Sequence, residues 1–461
     1  MAELWEMGAT QLVKAIKDKT ASCHEVMEAH LKRIEEINPT VNAVTVVLEE
    51  SALEAAKLAD ISIAKGHFTP LGGLPITIKE NQDVAGSATT HGIAPLKHAI
   101  AGHDSPHIAE LRNAGAIPIA RTNMPEFGMR WHTTNGIYGP TLNPRDPDLT
   151  PGGSSGGEAA AIASGMSPLG IGNDGAGSLR WPAQCCGIAA LKPSHGRVPV
   201  AASDGSSPIP FAFQLLGVHG PMARHVEDLE LALTHMCSAS SADPWHLPAP
   251  LHRQDREPPP AIGLVTGLAM DPDIEHALAK AADMLRDAGH RVQEIELPSL
   301  ARGSEIYTQI MNRYGRLTPE PQRAPVGVIS EEYDRFWAAF AAPWEAAEGK
   351  ETHDLMMERG AIYAQWSQVL AATPLILAPI ATQPPWPVGA DLDADWLVQW
   401  LSALRTVVVV NLLGLPSVAV PIESAGALVQ AVQIIGPRFQ EDLCLAAAKH
   451  IEAVAEVVSP S

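Results

Sequence analysis

Two glycine-rich segments carrying serines, and one lysine, are the residues of this chain whose types and spacing could do chemistry. Residues 152–157 read Gly-Gly-Ser-Ser-Gly-Gly and run straight into Glu158-Ala-Ala-Ala-Ile-Ala-Ser-Gly165. Glycines around two serines permit backbone conformations closed to other residues, and the alanine-rich run after them reads as a helix whose N-terminal dipole faces the serines. A flexible linker shares this composition, but linkers are seldom joined to an apolar helix and then to a strand, here Leu169 to Gly172. Next comes Asn173-Asp-Gly-Ala-Gly-Ser178-Leu-Arg180, a small-residue loop in which consecutive backbone N–H groups can converge on one oxygen, as an oxyanion hole requires. Upstream, Gly72-Gly-Leu-Pro-Ile-Thr-Ile-Lys79 puts a lysine at the end of an apolar strand. Such a lysine either reaches solvent or is buried with a lowered pKa, and the second case makes it a candidate base.

The elements that position these residues follow an α/β pattern. Ser22-x-x-Glu25 is a capping box, and Met27, Leu31, Ile34 and Ile37 recur on one helical face up to Pro39, which is expected to end the helix. A second amphipathic helix is expected through about residue 65, making 1–65 an N-terminal helical segment. From residue 71, short apolar runs (Leu74–Ile78, Ala116–Ala120) alternate with helices such as the one opened by Ser105-Pro106 and closed at Gly115. The unit repeats as a strand Ile262–Val265, a helix Asp273–Ala288 and a strand Val292–Leu297. The expected core is a mixed, mostly parallel central sheet covered by helices on both faces. The Pro- and charge-rich stretch 248–260 reads as an insertion, so 1–461 is expected to be a single domain.

Composition narrows the function classes. The 461 residues hold 32 Lys and Arg against 52 Asp and Glu, so the formal net charge is 32 − 52 = −20, which argues against nucleic-acid binding. The first residues are acidic, unlike a signal peptide. The apolar stretch Thr406–Ile422 is broken by Asn411, Gly414 and Pro416, so no membrane anchor is expected. Five scattered cysteines (Cys23, Cys185, Cys186, Cys237, Cys444) have neither zinc-site nor disulfide spacing, which fits a reduced, cytoplasmic setting.

Three other motifs fail on context. Gly170-Ile-Gly172-x-x-Gly175 has dinucleotide-loop spacing, but no Asp or Glu occurs between Gly175 and Asp204, and Pro182 interrupts the next turns. Ser62-x-x-Lys65 lacks a K-T-G partner. His103 and His107 have helical metal spacing without a carboxylate partner. Neither metal nor cofactor is expected.

Taken together, the first three segments resemble the amidase signature family of serine hydrolases. The resemblance spans Gly72 to about Leu229, within a catalytic core taken as 72–230. It includes Thr122-Asn-Met-Pro-Glu-Phe127, Tyr138-Gly-Pro-x-x-Asn-Pro144 and Cys186-Gly-x-x-x-Leu-Lys-Pro193, and it resumes at Asn411-x-x-Gly-Leu-Pro416. It implies a Ser-Ser-Lys triad on Lys79, Ser154 and Ser178, with Ser178 the nucleophile and a cis bond before Ser154. It also implies an oxyanion hole from the backbone of Gly175, Ala176 and Gly177, support from Ser155, and Asp174 with Arg180 bracing the loop. Met129 and Trp131 are placed near the acyl side, and Cys186 is packed without reactivity. Ala176 departs from the usual Gly-Gly before the nucleophile, and Glu80 stands where Asp is commoner.

The resemblance is weakest over 300–405, a variable region expected to line the substrate channel. Six of the ten tryptophans lie there: Trp337, Trp344, Trp366, Trp386, Trp396 and Trp400. Trp396 and Trp400 sit one helical turn apart, which fits a core stripe as well as an aromatic pocket. If they line a pocket, an aryl or apolar acyl amide, hydrazide or carbamate is the expected substrate. The alternatives are an amidotransferase component that works with a partner, and a non-catalytic scaffold of the same fold. The expected partner is a small-molecule amide, with no nucleic acid and no membrane, and with room for a homodimer. A triad that supplies base, nucleophile and acid from side chains predicts that dialysis against a chelator leaves turnover unchanged and that ATP does not raise it. Activity lost on chelation and restored by a divalent ion would contradict this reading.

Overall fold

In the computed structural model, residues 3–201, 209–237, 243–251, 259–316, 329–345, 352–422 and 429–455 are described. Eleven strands form one sheet: β1 (Val44–Val47), β2 (Pro75–Lys79), β3 (Ile117–Thr122), β4 (Leu169–Asp174), β5 (Ala189–Lys192), β6 (Val218–Ala223), β7 (Ile262–Val265), β8 (Val292–Ile295), β9 (Leu375–Pro379), β10 (Ser417–Ile422) and β11 (Gln430–Ile435). Their order across the sheet is β1-β3-β2-β4-β6-β5-β10-β11-β9-β7-β8. Every residue of β2 to β6 and β9 to β11 is buried, which requires cover on both faces of the sheet.

The mixed α/β class with a large helix-covered sheet stands. The expectation of a mostly parallel sheet does not: β2 with β3 and β4, and β7 with β8 and β9, are parallel, and the other six pairings are antiparallel. Two parallel βα units sit toward the ends, as the sequence pattern showed. The block between them pairs strands far apart in sequence, such as β5 with β10, and local patterning carries no sign of their direction.

Most expected elements lie within a residue or two of their sequence limits. The capping box at Ser22 opens the helix Cys23–Val41, with Ser22 Oγ accepting from Glu25 N at 3.1 Å. Pro39 does not end this helix; it sits in the last turn, where the missing N–H costs one bond, and Asn42 closes the helix in the left-handed conformation. The 1–65 segment is not wholly helical, because β1 forms the sheet edge against β3. Of the 248–260 stretch, 252–258 lie outside the described residues. Thr406–Ile422 divides into the buried helix Arg405–Leu413, a left-handed Gly414 and strand β10. No single helix among the described residues is long and apolar enough to cross a membrane.

What positions the chemistry is the parallel pairing of β2 with β4, Thr77 against Gly170 and Ile78 against Ile171. Parallel neighbours end at the same sheet edge, so Lys79 and Asn173-Asp174 finish side by side. Carboxyl ends of parallel strands are where α/β folds build sites.

Candidate active site

The Ser-Ser segment is no linker. All eight residues of the helix Gly156–Ala163 are buried, and Ser155 occupies its N-cap. The chain crosses beneath the loop 130–132 so closely that a Cβ on Gly153 would lie 2.6 Å from the Arg130 carbonyl oxygen. The Gly153–Ser154 peptide bond is cis.

Lys79 is fully buried, and its Nζ lies 2.7 Å from Ser154 Oγ, 3.0 Å from Ser155 Oγ and 2.7 Å from Asn173 Oδ1. Burial pushes its pKa down to about 7, against the opposing pull of Asp174 and Glu158. An amine so placed is a competent base near neutral pH. Glu158 is itself buried under the sheet edge and accepts hydroxyl bonds from Thr77 and from Thr122, the latter at 2.6 Å. Burial pushes its carboxyl up to about 7, against the pull of those two bonds and of Lys79.

Asp174 organises the loop that carries Ser178. It accepts from Gly177 N at 2.6 Å, Leu179 N at 3.2 Å and Arg180 Nε at 3.0 Å. Burial alone would raise its carboxyl, but the Arg180 guanidinium, Lys192 and the Gly177 N–H together outweigh burial and hold it at about 2. Arg180 is fully buried and also donates to Asn411 Oδ1 at 2.6 Å, Val407 O at 3.1 Å and Gln433 Oε1 at 3.0 Å. Asn411 in turn donates to Asp174 O at 3.0 Å, tying the motif at 411–416 to the loop. The pair is therefore an interior brace and not a surface ion pair. One expected oxyanion donor is otherwise engaged: the Gly177 N–H is held by Asp174. The N–H groups of Gly175, Ala176 and Ser178 make no intramolecular hydrogen bond among the described residues. Gly177 has φ +94°, and a Cβ there would run into Val407, so this position requires glycine.

Ser178 opens onto a pocket of about 330 Å³, counting its solvent-open mouth. Gly128, Met129, Trp131 and Ala176 line one side. Gly128 also backs onto Ser154, whose Oγ would lie 3.3 Å from a Cβ at that position. Tyr307 and Met311 come from the helix Leu300–Arg316, and Phe336, Trp337 and Phe340 from the helix Glu331–Glu345. Each helix presents residues four apart to the same space. Trp131 is fixed by its Nε1–H to Ala176 O at 2.9 Å and meets Phe336 and Phe340 with ring centroids 6.0 and 6.1 Å away.

The tryptophan-rich region splits in two. Trp337 lines the pocket. Trp386 and Trp400 instead pack into the interior with Trp181, with Trp181 stacked on Trp386 at 4.8 Å and Trp400 lying 4.0 Å from Trp386, and the half-buried Trp396 covers them from the edge. The stripe at 396 and 400 thus packs on the core, Trp400 inside it and Trp396 at its edge, and not on the pocket. Trp366 is buried and donates to Pro298 O at 3.0 Å, and the side chain of Trp344 lies outside the described residues.

Of the rejected motifs, the glycine run at 170–175 lies in β4 and the start of the Ser178 loop and serves the site in that way, whereas the other two lie apart from Lys79 and the serines. His107 is buried, 2.6 Å from Gln82 Oε1 and stacked on His219 at 4.1 Å. Lys65 is exposed at a helix C-terminus. Cys186 is buried, with its thiol pushed up to about 12 by burial. Sequence reasoning missed Asn173 as a lysine partner, and it missed Tyr307, Met311, Phe336 and Phe340 as pocket walls. Only the four-residue spacing within each pair signalled the latter.

The chain belongs to the Amidase family, whose model matches residues 25–445. It is 37% identical over 463 residues to an indoleacetamide hydrolase of Bradyrhizobium diazoefficiens, covering 99% of this chain and 88% of that protein. It is 31% identical over 472 residues to a glutamyl-tRNA(Gln) amidotransferase component of Alkalilimnicola ehrlichii, covering 95% and 94%. Among solved structures, a bacterial aryl acylamidase of the amidase signature family superposes with a TM-score of 0.83 at 25% identity, covering 98% of this chain and 97% of that one. The protein is an amidohydrolase that cleaves amide C–N bonds.

Removing one member of the buried Asp174–Arg180 pair leaves an uncompensated interior charge. Arg180→Ala is expected to lose about 3–5 kcal/mol of stability in urea unfolding, and a loss below about 1 kcal/mol would show that the pair is not the brace described.

Proposed function

We propose that the chain hydrolyses amides of aryl or apolar carboxylic acids through an acyl-enzyme on Ser178, using Lys79, Ser154 and Ser178 as a relay. The observation that carries this reading is the buried Lys79 amine, 2.7 Å from Ser154 Oγ, behind a serine at the mouth of an aromatic pocket. The indoleacetamide hydrolase and aryl acylamidase relatives support the substrate class.

Neutral Lys79 takes the Ser154 proton as Ser154 takes that of Ser178, and Ser178 Oγ bonds to the substrate carbonyl carbon. The free N–H groups of Gly175, Ala176 and Ser178 receive the oxygen on which negative charge develops. Ser154 returns its proton to the leaving nitrogen, the C–N bond breaks, and the acyl group stays on Ser178. Water, deprotonated by the same relay, then attacks the ester and releases the acid. Ser155 holds the lysine in place.

Arg130 is the one cation among the described pocket residues, and it is already paired, at 2.6 Å with Asp391 and 2.6 Å with Glu332. An uncharged acyl group therefore suits the site better than glutamine, which favours an amidase acting alone over an amidotransferase component. Hydrolysis of a simple aryl acetamide by the isolated chain tests that choice, and failure to turn over any such amide would sink it.

Two experiments test the roles. After reaction with a fluorophosphonate, peptide mapping should place the adduct on the peptide containing Ser178, and Ser178→Ala should not label. Label retained by that variant on Ser154 would reassign the nucleophile. Because Lys79 must be neutral, kcat/KM should rise with pH through an apparent pKa near 7. Lys79→Ala should lose about 100- to 10,000-fold and lose that rising limb. An unchanged pH profile with a small drop in rate would mean the base lies elsewhere.

A further inference from the structure

The strongest unexplained feature of the site is the amide that holds the lysine. Lys79 Nζ has three neighbours within hydrogen-bond distance, and their capacities decide what the nitrogen can do. Asn173 Oδ1, at 2.7 Å, can only accept. Its orientation is settled from the other side, because Asn173 Nδ2 donates to Asn81 Oδ1 at 2.9 Å. Ser155 spends its hydroxyl proton on the Asn173 carbonyl at 3.3 Å, so toward the lysine, at 3.0 Å, its oxygen accepts. A neutral amine has two N–H bonds and one lone pair. The two acceptors take both N–H bonds, and the lone pair is left facing Ser154 Oγ at 2.7 Å, the hydroxyl whose proton it must receive.

We propose that Asn173, oriented by Asn81, is a positioning residue that aims the Lys79 lone pair at Ser154 without placing a negative charge beside the amine. The inference rests on the reading of Lys79 as the base and adds a group that the relay does not itself require. A neutral acceptor suits the role. It fixes an N–H without a charge, whereas a carboxylate at the same distance would stabilise the ammonium ion, which has no lone pair to offer.

The charged and titratable surroundings of Lys79 are few. Asp174, from the end of β4, is neutralised by Arg180, and Glu158, from the helix behind the serines, is capped by two threonine hydroxyls. Arg121, from β3, donates to the Lys79 carbonyl at 3.2 Å. Glu80, adjoining Lys79 in the chain, accepts from Thr45 at 2.5 Å and from Thr90. His219, from β6, is paired in register with Asn173 and is held neutral by burial, its pKa pushed down to about 3. None of these groups touches Nζ, so Asn173 Oδ1 is the contact through which charge can be introduced with least change of shape.

The test is the pH dependence of kcat/KM for one aryl acetamide, measured on purified wild type, Asn173→Asp, Asn173→Leu and Asn81→Ala, with Lys79→Ala as the reference. Asn173→Asp is isosteric and should move the rising limb up by at least about one unit, so that the rate falls about tenfold or more at pH 7 and recovers in alkaline solution. Asn173→Leu should lower kcat with KM little changed. Asn81→Ala, at a half-buried turn, should give a smaller loss of kcat. If Lys79→Ala loses the limb while Asn173→Asp keeps the wild-type midpoint, the inference fails and the base assignment survives. If Lys79→Ala keeps the limb, the base assignment fails first. A uniform drop in rate for all three asparagine variants with no shift of midpoint would make Asn173 merely structural and would also overturn the proposal.

Discussion

The site depends on keeping one primary amine out of water. An exposed lysine titrates near about 10.4 and is charged at neutral pH, useless as a base. Here the amine sits at the end of a strand buried on both faces, and burial, outweighing two nearby carboxylates, brings it to about 7. Those carboxylates must then be kept from restoring the charge. Asp174 is tied up by a buried guanidinium, and Glu158 is capped by hydroxyls and itself raised by burial. The Ser-Ser helix, the nucleophile loop and the helix Arg405–Leu413 can be seen as the means by which one nitrogen is shielded and its neighbours are satisfied.

That arrangement also explains what could be read in the sequence. Lys79, Ser154, Ser155, Asp174, Ser178 and Arg180 stand in short, glycine-punctuated segments, because close backbone approaches leave residue types that local context reveals. The strands carrying them were visible as apolar runs bounded by turn signals. The sheet's antiparallel middle was not, because pairing between residues some 230 positions apart, as in β5 with β10, leaves no local trace. Asn173 was missed for a related reason. An asparagine at the end of a strand is common, and its partners, Lys79 and Asn81, are brought to it only by the β2–β4 pairing.

The tryptophans show the limit of composition. Trp396 and Trp400 share a helix face, and that spacing cannot distinguish an interior from a lined cavity. The decision was made by Trp181, from the segment just past Ser178, which lies tilted against Trp400, and by Trp386, which meets both rings edge-on. The pocket took most of its aromatic rings from another helix, Glu331–Glu345, whose Phe336, Trp337 and Phe340 belong to a local run of aromatic residues in a chain that is only 5% aromatic.

The indole of Trp131 is both a wall of the acyl pocket and a ligand of the Ala176 carbonyl, while the Trp131 carbonyl accepts from Trp181 Nε1 at 3.1 Å. Wall and Ser178 loop are thereby one mechanical piece, and in the proposed mechanism an acyl group too bulky for the wall presses on the loop that would receive the oxyanion. Poor fit is then felt as slow chemistry as well as weak binding. The wall on the helix Glu331–Glu345 makes no hydrogen bond of its own to that loop among the described residues and reaches it through Trp131 and the Arg130–Glu332 pair, so a change of acyl size on that side is passed to the loop only at second hand.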